Sequence, residues 1–161
     1  SSAKAMLVGG GAATLVFDRN TIIHTNSSEL YAYGASMPGM VYTNNISQHH
    51  TYGIMGQASS FGIPTINTFF PGAVVRCNVL AGGRASLYPA QNAFPTTAEW
   101  NASFVNASVG NYALVAGSPV ALAGCNGVPP GADMDVLNAA TGTGSAAPGA
   151  PGSPTNLRIV R

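Results

Sequence analysis

Val16 to Ile23 reads VFDRNTII, and two later stretches share its frame: Val41 to Ser47 (VYTNNIS) and Val74 to Leu80 (VVRCNVL). Each is an apolar or aromatic run, then a polar pair, then a β-branched apolar residue. The pairs are Asn20-Thr21, Asn44-Asn45 and Cys77-Asn78, closed by Ile22, Ile46 and Val79. The offsets are 24 residues (20 to 44) and 33 residues (44 to 77). Repeats at such periods mark a solenoid, whose units cannot bury their own apolar face alone. The second interval is longer by nine residues (33 minus 24), and the extra length falls in His49 to Pro64. Insertions of this kind map to loops on one face of a solenoid.

Working outward, short β-branched and aromatic runs alternate with Gly/Pro turns. Leu30 to Tyr33, Met40 to Ile46, Thr65 to Phe70 and Ala73 to Leu80 read as strands, and Ser47 to Gly56 as irregular. No long helical pattern intervenes, which predicts an all-β fold. The character changes after Tyr88. Thr96-Thr97-Ala98-Glu99 fits a capping box, and Trp100, Phe104 and Val105 follow on one face of a short helix. Tyr112 to Val115 reads as a strand, and Asp133 to Ala140 as a second short helix. The expected organisation is coils over 1–88, a helical and irregular cap over 89–141 that shields the last strand edges, and an extended tail over 142–161. Gly142 to Pro154 has linker composition, and Thr155 to Arg161 (TNLRIVR) is strand-like.

Composition narrows the function classes. Charged residues are 7% of the 161, with net charge +1, against about 25% in typical soluble domains. No basic face exists for nucleic acid. No apolar run reaches the ~18 residues of a membrane span. Ser1 to Val8 lacks a signal-peptide pattern, so the chain is expected to be a processed product or a piece of a longer secreted precursor. So little charge gives weak protection against association. Cys77 and Cys125 are the two cysteines. Either they form a disulfide in a secreted chain or they are buried thiols.

The repeats FDRNTII, VYTNNIS and VVRCNVL, the FPTTAEWNASFVN helix, the GNYALVAGSP turn and the GADMD segment together resemble the C-terminal part of secreted bacterial right-handed parallel β-helix repeat proteins, over about Ala5 to Ala140. The resemblance implies a few coils of three parallel sheets, with Asn20, Asn44, Asn45 and Asn78 as ladder residues that bond from coil to coil. Cys77 departs from that column, so the ladder should weaken there. The tail APGSPTNLRIVR resembles the opening strand of a fibronectin type III domain.

Some proteins of this fold cleave polysaccharides with clustered carboxylates. The acids here are Asp18, Glu29, Glu99, Asp133 and Asp135. Capping accounts for Glu99, and for Asp133 and Asp135 better than a calcium site does, so no catalytic residue is assigned. His24, His49, His50 and Tyr52 form the best ligand-binding constellation, for a metal or a sugar. Exposed loop histidines are the plainer account of it. Sequons stand at Asn26, Asn45, Asn101 and Asn106, and Asn45 is a poor acceptor if it faces inward. The expected function is a non-catalytic extracellular or cell-surface structural module without cofactor. It self-associates into an oligomer or filament through exposed β-edges, with Asn156, Leu157, Ile159 and Val160 as a donated strand. The alternative is a carbohydrate-binding or polysaccharide-degrading fragment.

Overall fold

The computed structural model describes residues 3–11 and 14–142. The linker after Gly142, the strand-like tail and the four donated-strand residues lie outside them.

Nine short strands make three parallel three-stranded sheets. The first sheet contains β1 (Lys4–Gly9), β4 (Ser28–Tyr33) and β7 (Gly53–Gly56). The second contains β2 (Val16–Asp18), β5 (Val41–Thr43) and β8 (Val74–Arg76), and the third β3 (Thr21–Ile22), β6 (Ile46–Gln48) and β9 (Val79–Ala81). Every strand pairs with the one three places on, so the chain visits the sheets in turn and comes back one level up. The fold is mostly β, with four short helices.

What bends the chain from the second sheet to the third is a two-residue corner. Its first residue is left-handed in every coil: Arg19 (φ 56), Asn44 (φ 54) and Cys77 (φ 61), with Gln91 (φ 66) continuing the column. An asparagine follows each of them. Val16 pairs with Val41, and Val41 with Val74, so the offsets are 25 (41 minus 16) and 33 (74 minus 41). The first offset therefore exceeds the expected 24 by one residue, and the columns change with it. Thr21, Ile46 and Val79 are partners on the outer face of the third sheet, while Ile22, Ser47 and Leu80 are partners on its inner face. Asn44 leaves the ladder and joins the left-handed column. Cys77 stands in that same column, so it does not interrupt the ladder.

The inner faces enclose one core of Leu30, Ala32, Met40, Tyr42, Ile54, Val75 and Leu80, completed by Phe69, Phe70 and Tyr88. TINTFF, expected as a strand, lies in helix α1 (Ile63–Phe69). Gly62 (φ 76) sets its entry and Pro64 suits its first turn. Burial of Thr65, Ile66 and Phe69 outweighs the β-propensity of its Thr and Ile residues. This helix packs on β7, the strand that the irregular reading of Ser47 to Gly56 passes over. Two glycines and no regular alternation hide it.

The C-terminal half is only in part an end cap. Gln91 to Pro95 covers the last coil: Cys77, Leu80 and Gly82 donate main-chain bonds to the carbonyls of Gln91, Ala93 and Pro95. The rest lies along the outer face of the third sheet. Helix α2 (Thr97–Ala102) carries the expected capping box. Phe104 opens strand β10 (Phe104–Asn106), not a helical turn, and pairs antiparallel with β11 (Asn111–Leu114). With α3 (Pro119–Leu122) these elements bury Ile46, Val79 and Ala81 against Trp100, Phe104 and Val120 as a second core. The chain then descends the coil. Gly131 donates to the Asn44 carbonyl and Ala132 to Thr21 Oγ1, before α4 (Met134–Thr141).

Candidate functional site

The asparagines form a continuous chain of hydrogen bonds at the corner. Asn45 Oδ1 accepts the Asn20 main-chain N–H (3.0 Å) and side-chain amide (2.8 Å). Asn78 Oδ1 accepts the same pair from Asn45 (2.9 and 3.2 Å), and Asn92 Oδ1 the same pair from Asn78 (3.1 and 2.9 Å). A second amide hydrogen goes to the coil below: Asn45 to Phe17 O, Asn78 to Tyr42 O and Asn92 to Val75 O. Buried amides are thereby satisfied where no sheet hydrogen bond reaches. Asn45 and Asn78 are buried. Asn20, at the first coil, is exposed.

The two ends of the coil differ. Downstream, the strands are covered by Gln91 to Pro95 and by α1. Upstream, β1, β2 and β3 have no further strand among the described residues. Met6, Val8, Leu15 and Phe17 are only partly buried, whereas their counterparts one coil up, Leu30, Ala32, Met40 and Tyr42, are fully buried. Among the described residues the upstream end is thus an apolar surface rimmed by three edges with no further strand.

The predicted histidine constellation is brought together in part. His24 and His50 stack edge to face across two coils, 4.7 Å between centroids. His24 Nε2 bonds Gln48 O (3.1 Å) and His50 Nε2 bonds His24 O (2.9 Å). His49 turns the other way, into the core against Phe61 and Tyr88. Its Nε2 is buried without a hydrogen-bond partner among the described residues. Tyr52 packs on Phe61. Burial pushes the His24 and His49 rings below their ordinary pKa, and the His50 ring adds to this. His24 and His50 thus face each other, while His49 and Tyr52 both pack against Phe61. Among the described residues no three His, Cys, Asp or Glu side chains group to hold a metal ion. Asp133 Oδ1 caps α4 through the N–H groups of Asp135 and Val136.

Cys77 and Cys125 form a disulfide, which ties the descending segment to the left-handed column. On one side of this segment is a cleft of about 310 Å³, with Arg19, Pro129, Asp133 and Asp135 in its lining. On the other is a polar one of about 200 Å³ with Asn44, Arg76, Gln91 and Asn126. Of the sequons, Asn101 and Asn106 are exposed, Asn26 is half-buried and Asn45 is buried in the ladder.

One buried acid carries no signal in the sequence. Glu29 is fully buried, and the Tyr42 hydroxyl donates to its Oε1. Burial pushes its pKa up to about 7, against the opposing effects of the Tyr42 and Ser47 hydroxyls. Asn92 is likewise absent from the three-repeat frame. The signal that finds it is the spacing apolar-x-x-Asn, shared by Phe17/Asn20, Tyr42/Asn45 and Val75/Asn78, with Pro89 in the apolar place.

No protein-family model, curated protein or solved structure matches this chain. That overturns the resemblance to secreted bacterial β-helix repeat proteins, and with it the likeness of the tail to a fibronectin type III domain. The repeat motif has a physical account in the corner instead. A two-residue corner between parallel strands calls for a left-handed residue followed by an amide that stacks, whatever the ancestry of the chain.

Proposed function

We propose that this chain is a non-catalytic extracellular structural module: a short right-handed parallel β-helix that builds a larger particle by self-association through its open upstream end. The observation that carries this reading is the half-exposure of Met6, Val8, Leu15 and Phe17, whose counterparts one coil up are fully buried. An open β-edge beside exposed apolar surface is a template for another chain. The disulfide supports an oxidising compartment. The acids support a non-catalytic role: Glu99 and Asp133 cap helices, Asp18 accepts from Thr43 and Asn44, and Glu29 is sealed in the core. Among the described residues no helix is long and apolar enough to cross a membrane.

The second reading, a carbohydrate-binding fragment, draws on the polar cleft of Asn44, Gln91 and Asn126 beside the descending segment rather than on the histidines. Light scattering and electron microscopy across a concentration series test the first. Growth of the particle is expected, together with its loss in Met6→Lys/Phe17→Lys, whose lysines blunt the edge, while circular dichroism stays unchanged. A monomer at every concentration overturns it.

A further inference from the structure

We infer, building on the self-association just proposed, that the association is directional: the open end of one copy receives the downstream end of another, head to tail. The asparagine ladder is polar. At every rung the lower residue donates and the upper Oδ1 accepts. At the open end, Asn20 has committed its donors, with its N–H and amide going to Asn45 Oδ1 and its amide also to Asp18 O. Its own Oδ1 receives nothing among the described residues. At the other end the situation is reversed. Asn92 Oδ1 is filled by Asn78, and its side-chain amide donates to Val75 O and Pro89 O. The Asn92 main-chain N–H has no acceptor among the described residues.

One end therefore offers an acceptor and the other a donor, at the same corner and in the same column. Stacked head to tail, Asn92 of one copy stands one rung, about 4.8 Å, below Asn20 of the next, and its N–H continues the ladder. The edge that accompanies it is also available. Gln91, Ala93 and Pro95 spend their carbonyls on the coil behind them, and Ala93 lies parallel to Val79. The Asn92 and Phe94 N–H groups, which have no acceptor among the described residues, are left to meet β3. Two open ends brought together would instead set Asn20 Oδ1 against Asn20 Oδ1, acceptor against acceptor, which costs desolvation with no bond in return. The second copy fits because it carries the missing donor at its far end. A head-to-tail contact is heterologous, so it propagates as a filament wherever the rotation does not close a ring.

Hydrogen–deuterium exchange on the full chain, at dilute and concentrated conditions, separates the outcomes. Head-to-tail stacking slows exchange by about tenfold or more at both ends, over residues 16–23 and over residues 89–95. Protection confined to residues 4–23 signals a closed head-to-head dimer, which overturns the directional inference and leaves self-association standing. Absence of any concentration dependence overturns both. As a second measurement, Lys4, on β1 and the sole lysine of the chain, reports contact between open ends. With the N-terminal amine blocked, a short amine-to-amine cross-linker yields no covalent dimer in a head-to-tail stack, and a Lys4–Lys4 dimer overturns the inference.

Discussion

Asn78 stands one rung above Asn45, and its Oδ1 takes both the main-chain N–H and the side-chain amide of Asn45, at 2.9 and 3.2 Å. A single oxygen thus satisfies two buried donors, while the Asn78 amide satisfies the Tyr42 carbonyl at 2.8 Å. Asn78→Ala strips partners from all three groups in a site with no water access. A buried polar group left unpaired costs about 1–3 kcal/mol, so a loss of about 3 kcal/mol or more is expected in urea titration. Asn20→Ala, at the exposed rung, should cost about 1 kcal/mol. Equal losses at the two positions would show that the ladder is not what holds the corner.

The disulfide joins residues 48 apart and anchors the segment that lies across the third sheet. Restricting a loop of that length in the unfolded chain is worth roughly 4 kcal/mol. The double variant Cys77→Ser/Cys125→Ser should therefore unfold at lower temperature, and reductant should bring the native chain to the same midpoint. If reductant leaves the thermal midpoint unmoved, the descending segment is held by its other contacts alone.

Those other contacts centre on Gly131. It approaches the third sheet so closely that a Cβ there would fall 2.8 Å from Thr21 Oγ1 and 2.9 Å from Ile46 Cδ1, and its φ is 86°. Gly131→Ala combines a left-handed penalty of about 1 kcal/mol with overpacking of about 1–3 kcal/mol. Thermal denaturation should register the sum, with the outer core loosened before the coil. Unchanged stability would mean that the segment shifts at no cost.

How far the sequence alone leads can be judged at two corners. Val16 to Ile23 and its echoes disclose parallel coils, because strand composition and the polar corner are local properties. They do not disclose the register. A left-handed residue and a ladder asparagine are adjacent, and at Asn44-Asn45 both are asparagine, so a frame drawn on identity alone slips by one residue. The slip places Asn44 and Cys77 in the ladder column, whereas both belong to the left-handed one. Helix α1 escapes for another reason: Thr65 and Ile66 favour strands, and the burial of Thr65, Ile66 and Phe69 on the coil decides otherwise. Nothing in the sequence around Glu29 sets it apart as the one fully buried acid. Glu29 sits where the pairing of β4 with β7 shifts register between Ser28 and Leu30, an irregularity that strand alternation does not disclose. The histidine corner is legible as the grouping of His24 with His50. The turning of His49 into the core is not, because it depends on Phe61 and Tyr88 arriving from distant segments.

Glu29 and the histidines give opposite pH dependences, which variants can separate. The folded-state pKa of Glu29 is raised from an ordinary 4.5 to about 7 by burial, so the folded chain binds the proton more tightly than the unfolded chain. Its contribution is fully present below pH 4.5 and is lost as pH rises through about 7. The loss amounts to roughly 3 kcal/mol at 1.36 kcal/mol per pH unit. For His24 and His49 the shift is downward. Their contribution is present above the ordinary value of 6.5 and is lost as pH falls below it. Glu29→Gln keeps an acceptor for the Tyr42 hydroxyl and removes the ionisation. The stability of Glu29→Gln relative to the native chain should therefore climb by roughly 3 kcal/mol between pH 4.5 and pH 8, read from urea midpoints at each pH. What remains in the variant is the acid-side loss, and His24→Gln in that background should reduce it. If the two stability curves run parallel from pH 4.5 to 8, Glu29 is not protonated in the folded chain, and the core must compensate its charge through some other group.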